Sequence, residues 1–379
     1  MKPVCIADYR QAAKARLPRV LFEYIDGGSY AEATLAANVA DLAALKLRQR
    51  VLRDVSRLNM ATELFGQRLN LPVILAPIGI AGMYARRGEV AAATAAKAAG
   101  VPFALSTVGV CSLEEVSEAV AAPWLQLYMI RDRGFMDEML ARARTAGCPA
   151  LLFTVDLPVP GARYRDTRSG MNADTVQARL SQALGGFAHP AWLWDVWLRG
   201  RPHTPGNIAK VATDLSSLSQ FWGWIGRNFD PSVTWADIAW VRERWPGPLI
   251  LKGVLDAEDA KQALACGVDG IVVSNHGGRQ LDGVPSSAAA LPAIVQAVGD
   301  RTTVLMDGGI RSGLDVLRAL ALGAKACLIG RAWAFALAAR GEAGVAHALE
   351  IIRNELRVAM CLTGCTDVRA ADGGLLEGG

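Results

Sequence analysis

One short run, Ser274-Asn275-His276-Gly277-Gly278-Arg279-Gln280-Leu281-Asp282, sets an imidazole beside a glycine pair and an arginine, directly after an apolar stretch. Of the four histidines, His189, His203, His276 and His347, only His276 has such a setting. Histidine's ordinary pKa suits it to take a hydroxyl proton near neutrality, and paired glycines let backbone approach a ligand closely. Arg279 adds a forked cation that grips a carboxylate bidentately. A base beside a carboxylate clamp is the equipment for oxidising a 2-hydroxy acid. A lone histidine usually just packs; this placement and the nearby arginine tip the reading toward chemistry.

Other residues extend the set. Asp156 ends an apolar run and either orients an imidazole, as a carboxylate does in a triad, or caps a helix ahead of Pro158. Arg163 is a second possible clamp, with Arg165 and Arg168 beside it as competing surface charges. Lys252 ends another apolar run, where a cation is costly unless it meets an anion or an electron-rich ring. Schiff-base chemistry and stabilisation of an anionic cofactor both fit it. Asp307-Gly308-Gly309-Ile310-Arg311 and Leu328-Ile329-Gly330-Arg331 join glycine turns to arginines, a pattern that holds phosphate.

These residues need a scaffold. Eight short Val/Ile/Leu-rich runs recur: Val73–Ile80, Val101–Val108, Trp124–Ile130, Ala150–Asp156, Leu249–Val254, Gly270–Asn275, Thr303–Gly309 and Ala326–Arg331. Each is followed by a helical stretch, which demands a parallel sheet buried on both faces. The repeat number predicts an α/β (β/α)8 TIM barrel, with an open doubly wound sheet as its rival. Ser106, Gln126, Tyr128, Asp156, Lys252, Ser274–His276, Asp307 and Arg331 all fall at the C-terminal strand ends, where a barrel carries its active site. The expected layout of residues 1–379 is one domain. It has an N-terminal helical segment over 1–70, a barrel over 71–368 with an insertion at about 160–245 between strands 4 and 5, and a flexible tail over 369–379.

Composition narrows the function. Apolar residues make up 52% of the 379 and charged residues 20%, so the core is large. A net charge of +4 with scattered arginines gives no basic face for nucleic acid. The seven cysteines form no Cys-x-x-Cys pair and none stands at zinc spacing from a histidine, which predicts free thiols and no metal. The first residues, Met1 to Asp8, lack the apolar core of a secretory signal, and no run is long enough to span a bilayer.

Taken together, the residues resemble the FMN-dependent L-2-hydroxy acid oxidases and dehydrogenases. The resemblance runs from Asp8-Tyr9-Arg10 and Tyr24-Ile25-Asp26-Gly27-Gly28, through the Ser274–Gln280 motif, to the C-terminal helix. Met83-Tyr84-Ala85-Arg86-Arg87-Gly88-Glu89, Arg131-Asp132-Arg133-Gly134-Phe135 and Pro160-Gly161-Ala162-Arg163-Tyr164-Arg165-Asp166 are closest to its bacterial respiratory L-lactate dehydrogenase branch. The resemblance implies His276 as base paired with Asp156, and substrate held by Tyr24, Tyr128, Arg163 and Arg279. It implies FMN contacts from Ser106, Gln126, Thr154 and Lys252, ribityl contacts from Asp307, and phosphate held by Gly308, Gly309, Arg311, Gly330 and Arg331. It further implies L-lactate oxidation with a quinone as acceptor, a homotetramer, and a peripheral place on the cytoplasmic side of the inner membrane. Gly79 resembles the dehydrogenases rather than the oxidases, which commonly have alanine there. The alternatives are a soluble oxidase acting on glycolate or mandelate with release of peroxide, and a flavin-free Schiff-base lyase using Lys252.

The insertion holds eight of the ten tryptophans: Trp192, Trp194, Trp197, Trp222, Trp224, Trp235, Trp240 and Trp245. The last stretch, Trp235–Trp245, reads as the helix entering strand five. The segments Phe187–Leu198 and Phe221–Ile225, flanked by arginines, are too short to span a bilayer and suit its headgroup boundary. Packing on the barrel or on another subunit is the competing reading.

Overall fold

A computed structural model describes residues 2–378 except 174, 210 and 212–217, without the side chains of 178, 179, 181 and 218. Three helices, Ile6–Arg16, Arg19–Asp26 and Ala33–Ala44, open the chain. The first starts on a capping box in which Asp8 accepts from the backbone of Val4 and Cys5, and Pro18 forces the turn into the second. A hairpin follows, β1 (Thr62–Leu64) and β2 (Gln67–Leu69), turning through Phe65 and Gly66 at φ 52° and 75°.

Eight parallel strands come next: β3 (Val73–Leu75), β4 (Ala104–Ser106), β5 (Trp124–Tyr128), β6 (Leu151–Thr154), β7 (Leu249–Val254), β8 (Gly270–Val273), β9 (Thr303–Met306) and β10 (Cys327–Ile329). They pair in the order β3-β10-β9-β8-β7-β6-β5-β4, and a bridge from Leu75 to Phe103 joins the two ends. This is the (β/α)8 barrel expected from the eight runs; β7 coincides with its run and the other seven strands are shorter than theirs.

Side-chain alternation decides which residues face inward. Ile74, Ala104, Trp124, Leu152, Ile250, Val272, Leu305 and Leu328 form one interior cluster. Leu64, Leu69 and Phe65 of the hairpin plug its N-terminal end, the Phe65 ring lying 5.9 Å from that of Trp124. Two residues further along the strands, the same parity turns Ser106, Gln126, Thr154, Lys252, Ser274 and Asp307 inward. The top of the barrel interior is therefore polar, and all six of these residues are buried.

The insertion is mainly helical, including Tyr164–Arg168, Val176–Phe187, Leu218–Asn228 and the anticipated helix into strand five, Trp235–Arg244. The C-terminal segment departs from expectation. Residues 369–378 are docked rather than flexible: Leu376 is buried and bridges to Leu47, and Arg48 N–H and Glu377 N–H bond to Leu375 O and Lys46 O. Polar glycine-rich composition suggested fraying, but one leucine finds a slot beside the N-terminal segment. Leu376→Ala is expected to cost about 1–3 kcal/mol of stability by chemical denaturation; an unchanged midpoint would mean the docking contributes nothing.

Candidate active site

The loop after β8 puts three successive residues, His276, Gly277 and Gly278, in the left-handed region at φ 58°, 65° and 71°. Glycine adopts this freely, whereas for histidine it costs roughly 1–3 kcal/mol. Several bonds hold the strained turn. Ser274 Oγ accepts from His276 N–H, Asn275 accepts from Gly278 N–H, and the Asn275 and Asn38 amides bond reciprocally at 2.8 Å. Asn38 lies on helix Ala33–Ala44, whose start is pinned by Asp282 accepting from the N–H groups of Ala33 and Thr34.

His276 Nδ1 donates to Asp156 Oδ1 at 2.8 Å, which leaves Nε2 as the free ring nitrogen. Burial is the largest influence on His276 and carries its pKa below the ordinary value, although Asp156 pulls the other way. Burial opposes the charged form of Asp156 as well, but His276 and Lys252 outweigh it and hold the carboxyl down. Both directions give a neutral imidazole beside a carboxylate, the state a proton acceptor requires.

Tyr24, Tyr128, Arg163 and Arg279 line the same cavity as His276. Arg279 Nη1 donates to the carbonyls of Tyr24 and Gly27 at 2.5 and 2.9 Å, and its guanidinium stacks 4.7 Å over the Tyr24 ring. Of the three neighbouring arginines, only Arg163 lines this cavity. Arg165 is spent on Glu23 and Asp26, and Arg168 lies over the ring of Tyr164. The nearest carboxylate to Arg163, Asp166, is 3.9 Å away, and burial pushes the guanidinium down to about 10. Two under-neutralised arginines facing a neutral imidazole have the chemistry to receive a carboxylate.

At the other end, Lys252 Nζ pairs with Asp307 Oδ2 at 2.9 Å and donates to Ser274 Oγ at 3.0 Å. Burial opposes its charge, but Asp307 and Asp156 prevail and raise its pKa. That arrangement is a fixed cation, and a poor amine nucleophile. Thr154 lines the cavity, while Ser106 and Gln126 stand one layer behind it. Ser106 donates to Gln126 Oε1, and Gln126 Nε2 donates to Thr154.

The residues fit FMN. Asp307 Oδ1 is buried without a partner, an acceptor suited to a sugar-alcohol hydroxyl. Gly308 and Gly309 sit at φ 91° and 85°, and a Cβ on Gly309 would lie 2.0 Å from Asn38 O, so this turn keeps its backbone bare. Among the described residues Arg331 donates to the carbonyls of Ile25, Gly277 and Gly27, and Arg311 to that of Ile310. Burial first, then neighbouring arginines, carries Arg331 well below its usual value, and burial pushes Arg311 down to about 10. Guanidinium keeps its proton in proteins, so these buried cations have the charge and donors to receive a dianionic phosphate. Gly330 completes the lining.

Sequence reasoning overlooked Trp222 at this site. Its ring lies 5.5 Å from Tyr24 and under the Arg163 guanidinium, so it is a wall of the cavity. Leu157, Ile225 and Phe229 line the cavity too. Three of these four come from the insertion, and no motif marks them. The pH dependence follows from His276. With its pKa lowered, the imidazole stays neutral as pH falls through the ordinary value of about 6.5, and turnover declines only below that. The unfolded chain takes the proton first, so this group's contribution to stability is also lost below 6.5. A kcat/KM profile with its acid limb above that value would contradict the geometry.

The chain matches the FMN-dependent dehydrogenases over residues 13–377. An L-lactate dehydrogenase of Caulobacter sp. (strain K31) is 62% identical over 371 residues, covering 97% of each chain. That of Chromohalobacter salexigens is 58% identical and covers 95% of this chain and 92% of its own. Among solved structures, a monotopic membrane protein, (S)-mandelate dehydrogenase, superposes with a TM-score of 0.92 at 35% identity over 99% of both chains. Mandelate oxidase reaches 0.82 at 41% identity over 98% and 97%. With family, barrel and site in agreement, the chain belongs to the FMN-dependent dehydrogenases.

Proposed function

We propose that this protein oxidises L-lactate to pyruvate, with a lipid-soluble quinone as electron acceptor, while resting on a membrane surface. The observation that carries the chemistry is the His276–Asp156 pair, 2.8 Å apart, facing Arg163 and Arg279 in one cavity. The names of the relatives at 58–62% identity support lactate as the hydroxy acid.

Arg163 and Arg279 take the substrate carboxylate and Tyr24 and Tyr128 its polar flank, fixing which face of the α-carbon is presented. His276 Nε2 accepts the hydroxyl proton as the carbonyl forms, and Asp156 stabilises the imidazolium through Nδ1–H. FMN, when bound, supplies the acceptor for the electron pair leaving the α-carbon. Lys252 and Asp307 would hold its ring and ribityl chain, and Gly308, Gly309, Arg311, Gly330 and Arg331 its phosphate. Leu157, Ile225 and Phe229 add apolar wall to the cavity, which suits a small apolar substrate side chain.

Two tests follow. L-lactate is expected to bleach the FMN of the purified holoenzyme without oxygen, and D-lactate is not; faster bleaching by mandelate or glycolate would overturn the substrate. His276→Gln should lower kcat by roughly 10²–10⁴-fold with FMN still bound. Arg279→Lys should raise KM, since a point charge cannot reproduce the fork.

Membrane contact rests on a narrower set of residues than the tryptophan count suggested. Trp192 and Trp224 are buried and Trp222 walls the active site, so these three are packing residues. Val176, Leu180, Leu184 and Phe187 recur at helical spacing along one face of Val176–Phe187, and all are exposed. Trp194, Trp197 and Leu198 extend this apolar strip. Among the described residues no helix is long and apolar enough to cross a membrane. The mandelate dehydrogenase that superposes over the whole chain is itself monotopic. Replacing Leu180, Leu184, Phe187 and Trp194 with serine should abolish co-sedimentation with anionic vesicles and leave dye-linked turnover within about twofold; retained sedimentation would sink the anchor.

A further inference from the structure

A second cavity, of about 580 Å³, lies between helix Arg19–Asp26 and the insertion. Its walls are mostly apolar, among them Leu21, Met83, Phe187, Trp192, Trp197 and Phe221. No step described above uses it. A void of this size lined by hydrophobic side chains is of ligand dimensions rather than a packing defect.

Three observations say what occupies it. The first is its neighbour. The cavity shares its inner wall with the active site: Phe221 adjoins Trp222 with rings 5.2 Å apart, Trp222 is 5.5 Å from Tyr24, and Ile80 follows Gly79, which lines the active site. One aromatic layer separates the two. The second is its mouth. Phe187 and Trp197 line the cavity and also belong to the exposed apolar strip, so the cavity opens onto the surface assigned to the membrane. The third is its polar content. His203 stacks on Trp197 at 4.8 Å with ring planes 12° apart, and its Nε2–H donates to Val196 O at 2.9 Å. That leaves Nδ1 as an acceptor. Arg201, Thr204 and Gln182 complete a short polar set. A flat ring surround with a few hydrogen-bonding groups suits a planar head carrying two oxygens, whereas a plain acyl chain needs no polar partner.

We propose that this cavity is the quinone site: the head group sits beside Trp197 and His203 against the Phe221–Trp222 wall, and the isoprenoid tail leaves past Phe187 into the lipid. The proposal rests on the quinone reading above and adds where the acceptor binds. The balance is complete. Lactate gives up its Cα–H and O–H bonds as C=O forms, releasing two electrons and two protons; the quinone takes up two of each as its carbonyl oxygens become hydroxyls. Substrate and acceptor then occupy separate pockets, so pyruvate need not leave before the quinone arrives.

Filling the cavity tests this. Gly186 is buried on its edge, where a Cβ would meet Trp192 at 3.6 Å and Leu193 at 3.9 Å, so Gly186→Leu projects into the void without backbone clash. Ala183→Phe fills it from the same helix, and His203→Phe keeps the stack while removing Nδ1. With a short-tail dimethoxybenzoquinone, each holoenzyme variant is expected to show a KM for quinone raised by roughly tenfold or more. Anaerobic FMN bleaching by L-lactate and dye-linked turnover should stay within about twofold. Saturable quenching of tryptophan fluorescence by the quinone, arising from Trp192 and Trp197, should weaken in parallel. Quinone turnover unchanged in both filling variants overturns the site, as does equal competition by decanol, which would mark a lipid-chain pocket. A native enzyme that bleaches with lactate yet reduces no quinone overturns the acceptor reading itself, separately from the cavity.

Discussion

Charge inside a barrel must be answered from inside the barrel. Strand alternation turns Lys252 and Asp307 into the interior, and their 2.9 Å contact makes the arrangement tolerable. Removing one partner of such a pair costs roughly 3–5 kcal/mol because the other is left buried and unpaired, so the two residues are tied to each other. Its field reaches further. Lys252 helps keep Asp156 ionised, and Asp156 fixes the tautomer and orientation of His276. The His276 imidazole is thus oriented through Asp156 by a lysine it does not touch.

The N-terminal helices make the other half of the site. Tyr24 comes from the second helix, whose last residue, Asp26, is buried between Arg10 and Arg165 at 2.5 and 2.8 Å. Asn38 of the third helix clasps Asn275, and Asp282 caps that helix from the base-bearing loop. Carbonyls of Tyr24, Ile25 and Gly27 orient Arg279 and Arg331. The segment before the barrel therefore fixes the Arg279 and Arg331 guanidinium groups together, and its loosening would disturb both.

The insertion serves two surfaces. Its inward residues, Trp222, Ile225 and Phe229, wall the active site, and its outward strip, Val176 to Phe187 with Trp194 and Trp197, is apolar and exposed. The insertion thus brings a polar cavity and an apolar exterior within a few side chains of each other.

Much of this was legible in the sequence. Eight apolar runs gave the barrel, because parallel strands buried on both faces leave an unmistakable pattern, and the polar residues ending those runs marked the catalytic end. The glycine pairs beside His276 and Asp307 were equally readable, since left-handed backbone and close approach favour glycine. What the sequence left open was settled by distances between remote residues. Arg163, Arg165 and Arg168 are chemically equivalent on paper; Glu23 and Asp26, about 140 positions away, claim Arg165 and leave Arg163 for the site. Tryptophan count pointed to a membrane, but only tertiary packing separates buried Trp192 and Trp224 and half-buried Trp222 from exposed Trp194 and Trp197. Burial depends on what the rest of the chain places overhead. Strand periodicity is local and survives in the sequence, whereas the choice of partner across hundreds of residues exists only once the chain has closed on itself.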